Sequence, residues 1–206
     1  MNKIPNYDIK KKKINIGLLG DSLVGKTSIR YALIKHEFDE GILATPGVEK
    51  DEYYFKIKKN KELKVIIFDS SGLKRFHLIA IERYRDVQGI ILCFDITSRK
   101  SFENIKNWLS LIKDNLKKVI IILFGNKIDC ESEREISKEE AEDFAKSNNL
   151  IYFETSAKKN INIVDGFEKI INHSYNLKYL DEYNKKASIN LSKLNKLNKL
   201  NKDINF

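Results

Sequence analysis

Cysteine is nearly absent from this chain of 206 residues, which contains only Cys93 and Cys130. The first lies within an apolar run and the second within a polar segment, so we expect neither a disulfide framework nor a cysteine metal site. Such sparse use of cysteine suits a reducing compartment. We therefore expect a cytoplasmic protein.

Long apolar runs are missing as well. No segment approaches the roughly 20 consecutive apolar residues that a membrane-spanning helix requires. The segment from Met1 to Lys13 lacks the apolar stretch of a secretory signal, and Asn2 stands where N-myristoylation needs glycine. These absences predict neither a membrane span nor a secretory route.

Acidic residues are too few to balance the basic ones, and the formal net charge is +9. The stretch from Asn176 to Phe206 contributes +4 of it, and Lys10 to Lys13 form a second basic cluster. Basic ends of this kind are either solvated charge or weakly attracted to acidic lipid headgroups. Because the lysines from Lys185 to Lys202 have no aromatic residues between them to stack on bases, we do not expect nucleic acid as a partner.

A glycine-rich loop is the most informative feature that is present. Residues 20–27 match G-x-x-x-x-G-K-[ST] directly after the apolar run Ile14 to Leu19. Backbone N–H groups of such a loop point at phosphate oxygens, Lys26 would reach the β and γ phosphates, and the Thr27 hydroxyl would bind Mg²⁺. The predicted phosphate-binding residues are Gly20, Ser22, Leu23, Val24, Gly25, Lys26, Thr27 and Ser28.

Short β-branched runs alternate along the chain with amphipathic stretches. The predicted strands are Ile14 to Leu19, Tyr53 to Ile57, Lys64 to Phe68, Ile90 to Phe94, Val119 to Phe124 and Ile151 to Phe153. The predicted helices are Thr27 to His36, Phe76 to Arg85, Ser101 to Leu116, Ser137 to Ser147 and Ile161 to Leu177. The polar turn Lys58 to Leu63 would join the one antiparallel pair. This order predicts an α/β fold, a six-stranded and mostly parallel sheet with helices on both faces.

Three further polar motifs each follow a predicted strand. Asp69 to Gly72 has the spacing D-x-x-G, in which the acid would hold Mg²⁺ through water and the Gly72 amide would contact the γ-phosphate. Asn126-Lys127-Ile128-Asp129 is more specific, because a carboxylate accepts both the N1–H and the exocyclic amine of guanine. Thr155 to Lys158 follows the last strand.

With these motifs in order, the chain resembles the Ras superfamily of small GTPases and is most similar to the Rab family. The resemblance runs from about Lys13 to Leu177 and includes Tyr84 to Gly89, the stretch from Phe94 to Trp108, and Arg75-Phe76. It implies a P-loop NTPase small G domain over 13–177, a basic N-terminal extension over 1–12, and a basic low-complexity tail over 178–206.

The resemblance also implies roles for residues outside the glycine-rich loop. Thr45 stands where the family's first switch threonine closes on Mg²⁺ and the γ-phosphate, which makes Thr27, Thr45 and Asp69 the expected metal residues. Phe38 stands where the family stacks an aromatic ring on the base. The expected base and closing residues are Phe38, Thr45, Gly72, Asn126, Lys127, Asp129, Ser156, Ala157 and Lys158.

The catalytic residues implied are Lys26, Thr45 and Gly72, together with position 73, where the family has a water-orienting glutamine and this chain has Leu73. A leucine offers no hydrogen bond to water, so we expect impaired hydrolysis. Pro46, in place of an isoleucine, restricts Thr45 to extended backbone angles. Leu23 and Phe68 also differ from the family pattern.

The Rab family carries prenylated cysteines at its end, whereas this chain has none after Cys130. We expect attachment to membranes, if any, to be peripheral and without a prenyl anchor. The expected partners are guanine nucleotide, effectors, exchange factors and GTPase-activating proteins, with the chain itself a monomer.

Three functions stay open at this stage. The first is a Mg²⁺·GTP/GDP switch in vesicle traffic with slow hydrolysis. The second is a GTP-loaded binding module that sequesters trafficking partners. An ATP-using P-loop enzyme is the third, and Asp129 argues against it.

Overall fold

The computed structural model describes residues 12–36, 38–39, 41, 45–58 and 61–179. They form one six-stranded sheet in the order β2-β3-β1-β4-β5-β6. The strands are β1 Lys13–Leu19, β2 Val48–Lys58, β3 Lys61–Ser70, β4 Gly89–Asp95, β5 Ile120–Asn126 and β6 Ile151–Glu154. The helices are α1 Lys26–Ile34, α2 His77–Arg83, α3 Arg99–Glu103, α4 Ile105–Asn115, α5 Lys138–Ser147 and α6 over 163–179, with 3-10 turns at Lys74–Phe76 and Ile128–Glu133.

The predicted fold class is confirmed. Strands β1, β3, β4, β5 and β6 pair in parallel, and β2 alone among the described strands runs antiparallel to its neighbour β3. Parallel pairing needs helical crossovers, which bury both faces of the central strands. All seven residues of β4 are accordingly buried.

Two apolar cores lie on opposite faces of the sheet. One packs α1 and α6 against the sheet through residues such as Ile29, Phe167 and Ile170. The other packs α2 to α5 against it, with Trp108 and Tyr84 among its fully buried side chains. The loops that carry the polar motifs therefore meet at the carboxyl edge of the sheet.

Several element ends differ from the predicted ones. The first helix ends at Ile34 rather than His36, because His36 adopts a left-handed φ of 54°. The last helix begins at 163 rather than Ile161, because the backbone of Ile161 pairs with that of Ser156. It continues to 179, two residues beyond the predicted end at Leu177.

The helix predicted from Ser101 begins earlier, because Ser98 caps its N-terminus by accepting a hydrogen bond from the Ser101 amide. It also divides into α3 and α4 at Asn104, which keeps right-handed helical angles, so the break is slight. Phe76 lies in a 3-10 turn and α2 ends at Arg83 rather than Arg85. The predicted cap at Ser137 is present, since its hydroxyl accepts from the Glu140 amide.

Several strand ends also differ from the predicted ones. β2 begins at Val48, five positions before the predicted Tyr53, because its pairing with β3 continues up to Val48 opposite Ser70. β5 begins at Ile120 rather than Val119. The predicted extension over 1–12 and tail over 178–206 lie outside the described residues except for Lys12, Lys178 and Tyr179. Within the described ranges, no helix is both long and apolar enough to cross a bilayer.

Candidate nucleotide-binding site

A cleft of about 340 Å³ opens at the carboxyl edge of the sheet. Five chain segments surround it: the glycine-rich loop, the residues around Thr45, the turn after β3, the loop after β5 and the loop after β6. Its lining residues are Ser22, Leu23, Gly25, Lys26, Thr27, Ser28, Phe38, Asp39, Thr45, Ser70, Ser71, Gly72, Asn126, Lys127, Asp129, Cys130, Ala157 and Lys158.

The glycine-rich loop needs its glycines for backbone geometry. Gly20 and Gly25 have φ values of 136° and 93°, which residues with a Cβ rarely adopt. A Cβ at Gly20 would lie 2.2 Å from the carbonyl oxygen of Cys93, and one at Gly25 would lie 2.3 Å from the amide nitrogen of Asn126. The loop thus packs directly against Cys93 and Asn126.

Lys26 begins α1 and is buried at the floor of this loop. Its ammonium donates to the carbonyl oxygens of Gly20 at 3.0 Å and Asp21 at 2.6 Å. Burial lowers the pKa of Lys26 below its ordinary value, against the attraction of Asp69. The Lys26 ammonium is therefore held at the base of the loop, where it could pair with a bound anion.

Thr27, Thr45 and Asp69 converge at one point of the cleft. The Thr27 hydroxyl donates to Asp69 Oδ2 at 2.6 Å and lies 2.9 Å from the Thr45 hydroxyl. Asp69 is fully buried, and burial raises the pKa of its carboxyl while the Thr27 hydrogen bond and the charges of Arg30 and Lys26 oppose the rise. Its Oδ1 has no hydrogen-bond partner in the described part of the chain.

Such a group of hard oxygens suits Mg²⁺, which prefers one or two protein oxygens and completes its shell with water and phosphate. The unpartnered Asp69 Oδ1 is a buried acceptor that a hydrated cation would satisfy. Within the described residues, no cluster of three or more His, Cys, Asp or Glu side chains could hold a metal by itself.

At the other end of the cleft, the Asn126 side chain joins three loops. Its amide nitrogen donates to the carbonyl of Val24 at 3.0 Å, and its oxygen accepts from the Ala157 amide at 3.2 Å and the Thr155 hydroxyl at 3.3 Å. The residue is 1% exposed, so these bonds have no competition from water.

We expect Asn126→Ala to destabilise the protein by about 2–4 kcal/mol, because it removes three bonds and leaves the Val24 carbonyl and the Ala157 amide unpaired. Urea unfolding followed by the fluorescence of Trp108, the single tryptophan, measures this. Asn115→Ala is the control, since that asparagine is exposed and makes one bond, to Leu111. Equal losses in the two variants would contradict the joining role of Asn126.

Asp129 lies beside this network and faces the cleft. Its Oδ1 accepts from the Ser156 hydroxyl at 2.5 Å. Partial burial would raise the pKa of its carboxyl, but the Ser156 bond and other donors outweigh that effect and hold the pKa below its ordinary value. The Asp129 carboxylate is therefore a fixed, ionised pair of acceptors.

Side chains expected to cover a base stand around Asp129. Lys127 has a left-handed φ of 71°, and its ammonium pairs with Asp95 at 2.6 Å. The Lys158 ammonium lies 5.8 Å from the centre of the Phe38 ring, which is 38% exposed. An aromatic ring and two lysine stems thus flank the space next to the carboxylate.

Most of the predicted site residues line this one cleft, but five do not. Gly20, Val24, Asp69 and Ser156 support it from behind. Leu73 lines the neighbouring, wider cavity of about 1150 Å³ between the glycine-rich loop, α2 and α4.

Sequence reasoning missed Asp39, Ser70, Ser71 and Cys130 in the lining and Arg30 behind it. The two serines lie inside the predicted motif from Asp69 to Gly72 but were given no role. Asp39 and Cys130 directly follow the predicted residues Phe38 and Asp129, so proximity along the chain was the available signal. For Arg30 the signal was its position in the buried stripe of α1 with Ile29 and Leu33.

Comparison with protein families matches residues 15–176 to the Ras family. The chain is 39% identical over 158 residues to the Ras-related protein Rab-13 of Rattus norvegicus, which covers 74% of this chain and 75% of that protein. It is 40% identical over 166 residues to Rab-10 of Diplobatis ommata, with 78% and 79% covered. It is 33% identical over 175 residues to Rab-11C of Dictyostelium discoideum, with 84% and 78% covered.

Members of this family are GTPases that bind GTP or GDP with Mg²⁺. The match spans the glycine-rich loop, the turn after β3 and the loops after β5 and β6, which are the segments that form the cleft. The chain belongs to the Ras family of small GTPases and is Rab-like.

Proposed function

We propose that this chain is a guanine-nucleotide switch of vesicle traffic that binds GTP and GDP with Mg²⁺ and hydrolyses GTP slowly. One observation carries the proposal: a single cleft has a fixed, ionised carboxylate, Asp129, at one end and the oxygens of Thr27, Thr45 and Asp69 at the other. Guanine and a triphosphate would occupy these two ends.

In the proposed complex, backbone amides of the glycine-rich loop and the Lys26 ammonium bind the phosphates. Thr27, Thr45 and, through water, Asp69 would hold Mg²⁺, which neutralises charge that develops on the phosphate oxygens. Gly72 lies against the glycine-rich loop so closely that a Cβ there would be 2.1 Å from the Ser22 nitrogen. Its amide is thereby held near the γ-phosphate end of the cleft.

The proposed switch depends on the contacts that require the γ-phosphate. Thr45 and Gly72 both lie on segments outside regular structure, and the Ser71 amide donates to the Gly47 carbonyl at 2.7 Å. We expect the γ-phosphate to hold both segments and its loss to release them together. Effectors, exchange factors and GTPase-activating proteins would recognise these segments.

Slow hydrolysis rests on Leu73. Its side chain is 36% exposed and borders the wider cavity, with no donor or acceptor to orient a water. A long-lived GTP state leads to the second candidate, a GTP-bound module that sequesters trafficking partners. A partner captured equally by GTP-loaded and GDP-loaded protein would count against both.

The proposed domain organisation is a G domain over 13–177 between a basic extension over 1–12 and a basic tail over 178–206. We propose that the protein is a cytoplasmic monomer whose basic ends attract anionic lipid weakly. Each lysine near such a surface contributes about 1 kcal/mol, and salt screens the attraction. Loss of vesicle binding at high ionic strength would be the expected behaviour.

The nucleotide released from freshly purified, denatured protein tests the main proposal, with ion-pair chromatography to identify it. We expect GTP, which supports guanine specificity and slow hydrolysis together. Release of GDP would agree with a GTPase but would contradict slow hydrolysis. ATP, or a site that refuses guanine nucleotide, would overturn the proposal.

A further inference from the structure

Arg30 is a buried cation surrounded by three carboxylates. Its guanidinium lies 2.7 Å from Glu49 Oε2, 3.2 Å from Asp51 Oδ2 and 3.7 Å from Asp69 Oδ2. The side chain is 3% exposed, whereas those of Glu49 and Asp51 are 46% and 43% exposed. The cation is therefore enclosed by protein, while two of its partners reach it from the surface.

The arrangement follows from two periodicities. On α1, Arg30 occupies the buried stripe with Lys26, Ile29 and Leu33, where an apolar residue is usual. On β2, Glu49 and Asp51 share one face because side chains alternate along a strand. A buried arginine persists only where carboxylates pair with its fork, so α1 and the start of β2 are held together at this point.

This point of attachment lies next to the switch threonine. Thr45 precedes Glu49 by four residues, and between them Gly47 has a φ of 86°, where an added Cβ would have no neighbour within 4 Å. A glycine of this kind is a place where the chain bends. The attachment at Glu49 thus fixes one side of the bend, and Thr45 lies on the other.

Arg30 also faces the metal end of the cleft. Asp69 Oδ2, its third neighbour, accepts hydrogen bonds from Thr27 at 2.6 Å and from Thr45 at 3.5 Å. The same guanidinium therefore contacts the strand that follows Thr45 and the carboxylate that the Thr45 hydroxyl approaches.

We infer that Arg30 is a positioning residue for the Mg²⁺ site: by binding Glu49 and Asp51 it holds the strand after the first switch segment so that Thr45 meets Thr27 and Asp69. The inference rests on the proposed function, because it concerns the metal of the same nucleotide site. Arg30 is not among the residues that line the cleft, so we assign it a role through β2 and Asp69 rather than at the nucleotide or the metal.

A purely electrostatic role for Arg30 makes the opposite prediction. A guanidinium near the metal repels Mg²⁺, so its removal would tighten Mg²⁺ binding. If Arg30 positions Thr45, its removal weakens Mg²⁺ binding. Mutation of a residue that orients metal ligands from outside the coordination shell typically lowers metal affinity by about 10–100-fold. The direction of the change separates the two roles.

The experiment measures dissociation of a fluorescent, non-hydrolysable GTP analogue from the full chain in EDTA and over a series of Mg²⁺ concentrations, because Thr45 is expected to meet the metal only when a γ-phosphate is bound. Wild-type binding in EDTA first establishes the nucleotide site, so that its absence counts against the proposed function and not against the role of Arg30. For Arg30→Met we expect an unchanged rate in EDTA and an about 10- to 100-fold higher Mg²⁺ concentration for half-maximal slowing.

Two further variants keep the test decisive if Arg30→Met fails to fold. Arg30→Lys retains the charge but lacks the fork, so we expect a smaller shift in the same direction. The double variant Glu49→Gln/Asp51→Asn removes the two half-exposed partners and should shift the Mg²⁺ requirement likewise. Arg99→Met is the matched control, because Arg99 pairs with Glu140 away from the cleft.

A lower Mg²⁺ requirement in Arg30→Met would overturn the inference in favour of charge repulsion. An Arg30→Lys variant identical to the natural chain would also overturn it, since charge alone would then suffice. Equal acceleration of release in EDTA and in Mg²⁺ would indicate general loosening of the fold and would overturn it too.

Discussion

We expect the Leu73→Gln variant to hydrolyse bound GTP about 10²- to 10³-fold faster than the natural chain. A glutamine amide can accept a hydrogen bond from the attacking water and donate one toward the γ-phosphate, whereas leucine can do neither. The position favours such a repair, because Leu73 directly follows Gly72 at the border of the wider cavity and is only partly buried. Single-turnover hydrolysis of preloaded GTP measures the effect.

Leu78→Gln is a close control for this variant. Leu78 lies five residues further on in α2, borders the same cavity and is 70% exposed, so it accepts the same substitution away from Gly72. We expect no change in the hydrolysis rate there. If Leu73→Gln were as slow as the natural chain, the defect would not reside at this position, and if Leu78→Gln were equally fast, the gain would not depend on geometry.

The architecture could be predicted because its pattern is local. Buried parallel strands have to be apolar on both faces, and runs such as Ile90 to Phe94 show this directly in the sequence. The ends of elements could not be predicted as well, since non-local or unusual backbone geometry decides them. The positive φ of His36 and the pairing of Ile161 with Ser156 have no clear sequence signature.

The candidate site likewise has parts that could be predicted from the sequence and parts that could not. Its motifs could be found because each follows a strand, and strand ends meet at one edge of the sheet. Arg30 could not be assigned, because the burial of Arg30 follows from helical periodicity but its partners Glu49 and Asp51 depend on how β2 lies against α1. That relation is tertiary, and one sequence does not contain it in a readable form.

Asp129→Asn should produce the largest change in binding, an about 10⁴-fold loss of affinity for guanine nucleotide. The carboxylate offers two acceptors to the N1–H and the amine of guanine. The asparagine side chain offers only one acceptor, and its NH₂ group would face an N–H donor of guanine. It also lacks the negative charge that strengthens both hydrogen bonds. Competition against a fluorescent GDP measures the loss, with Asp143→Asn on the exposed face of α5 as the control.

The same variant should gain affinity for xanthine nucleotide, because xanthine carries an oxygen where guanine carries the amine and this oxygen accepts from the new amide. A gain of this kind requires a folded protein and an intact phosphate end, so it separates altered base choice from unfolding. Asn126 and Ser156, which hold the loop and the carboxylate, are unchanged in the variant. If Asp129→Asn lost both nucleotides alike, Asp129 would hold the loop rather than select the base, and the assignment of this end of the cleft to guanine would be wrong.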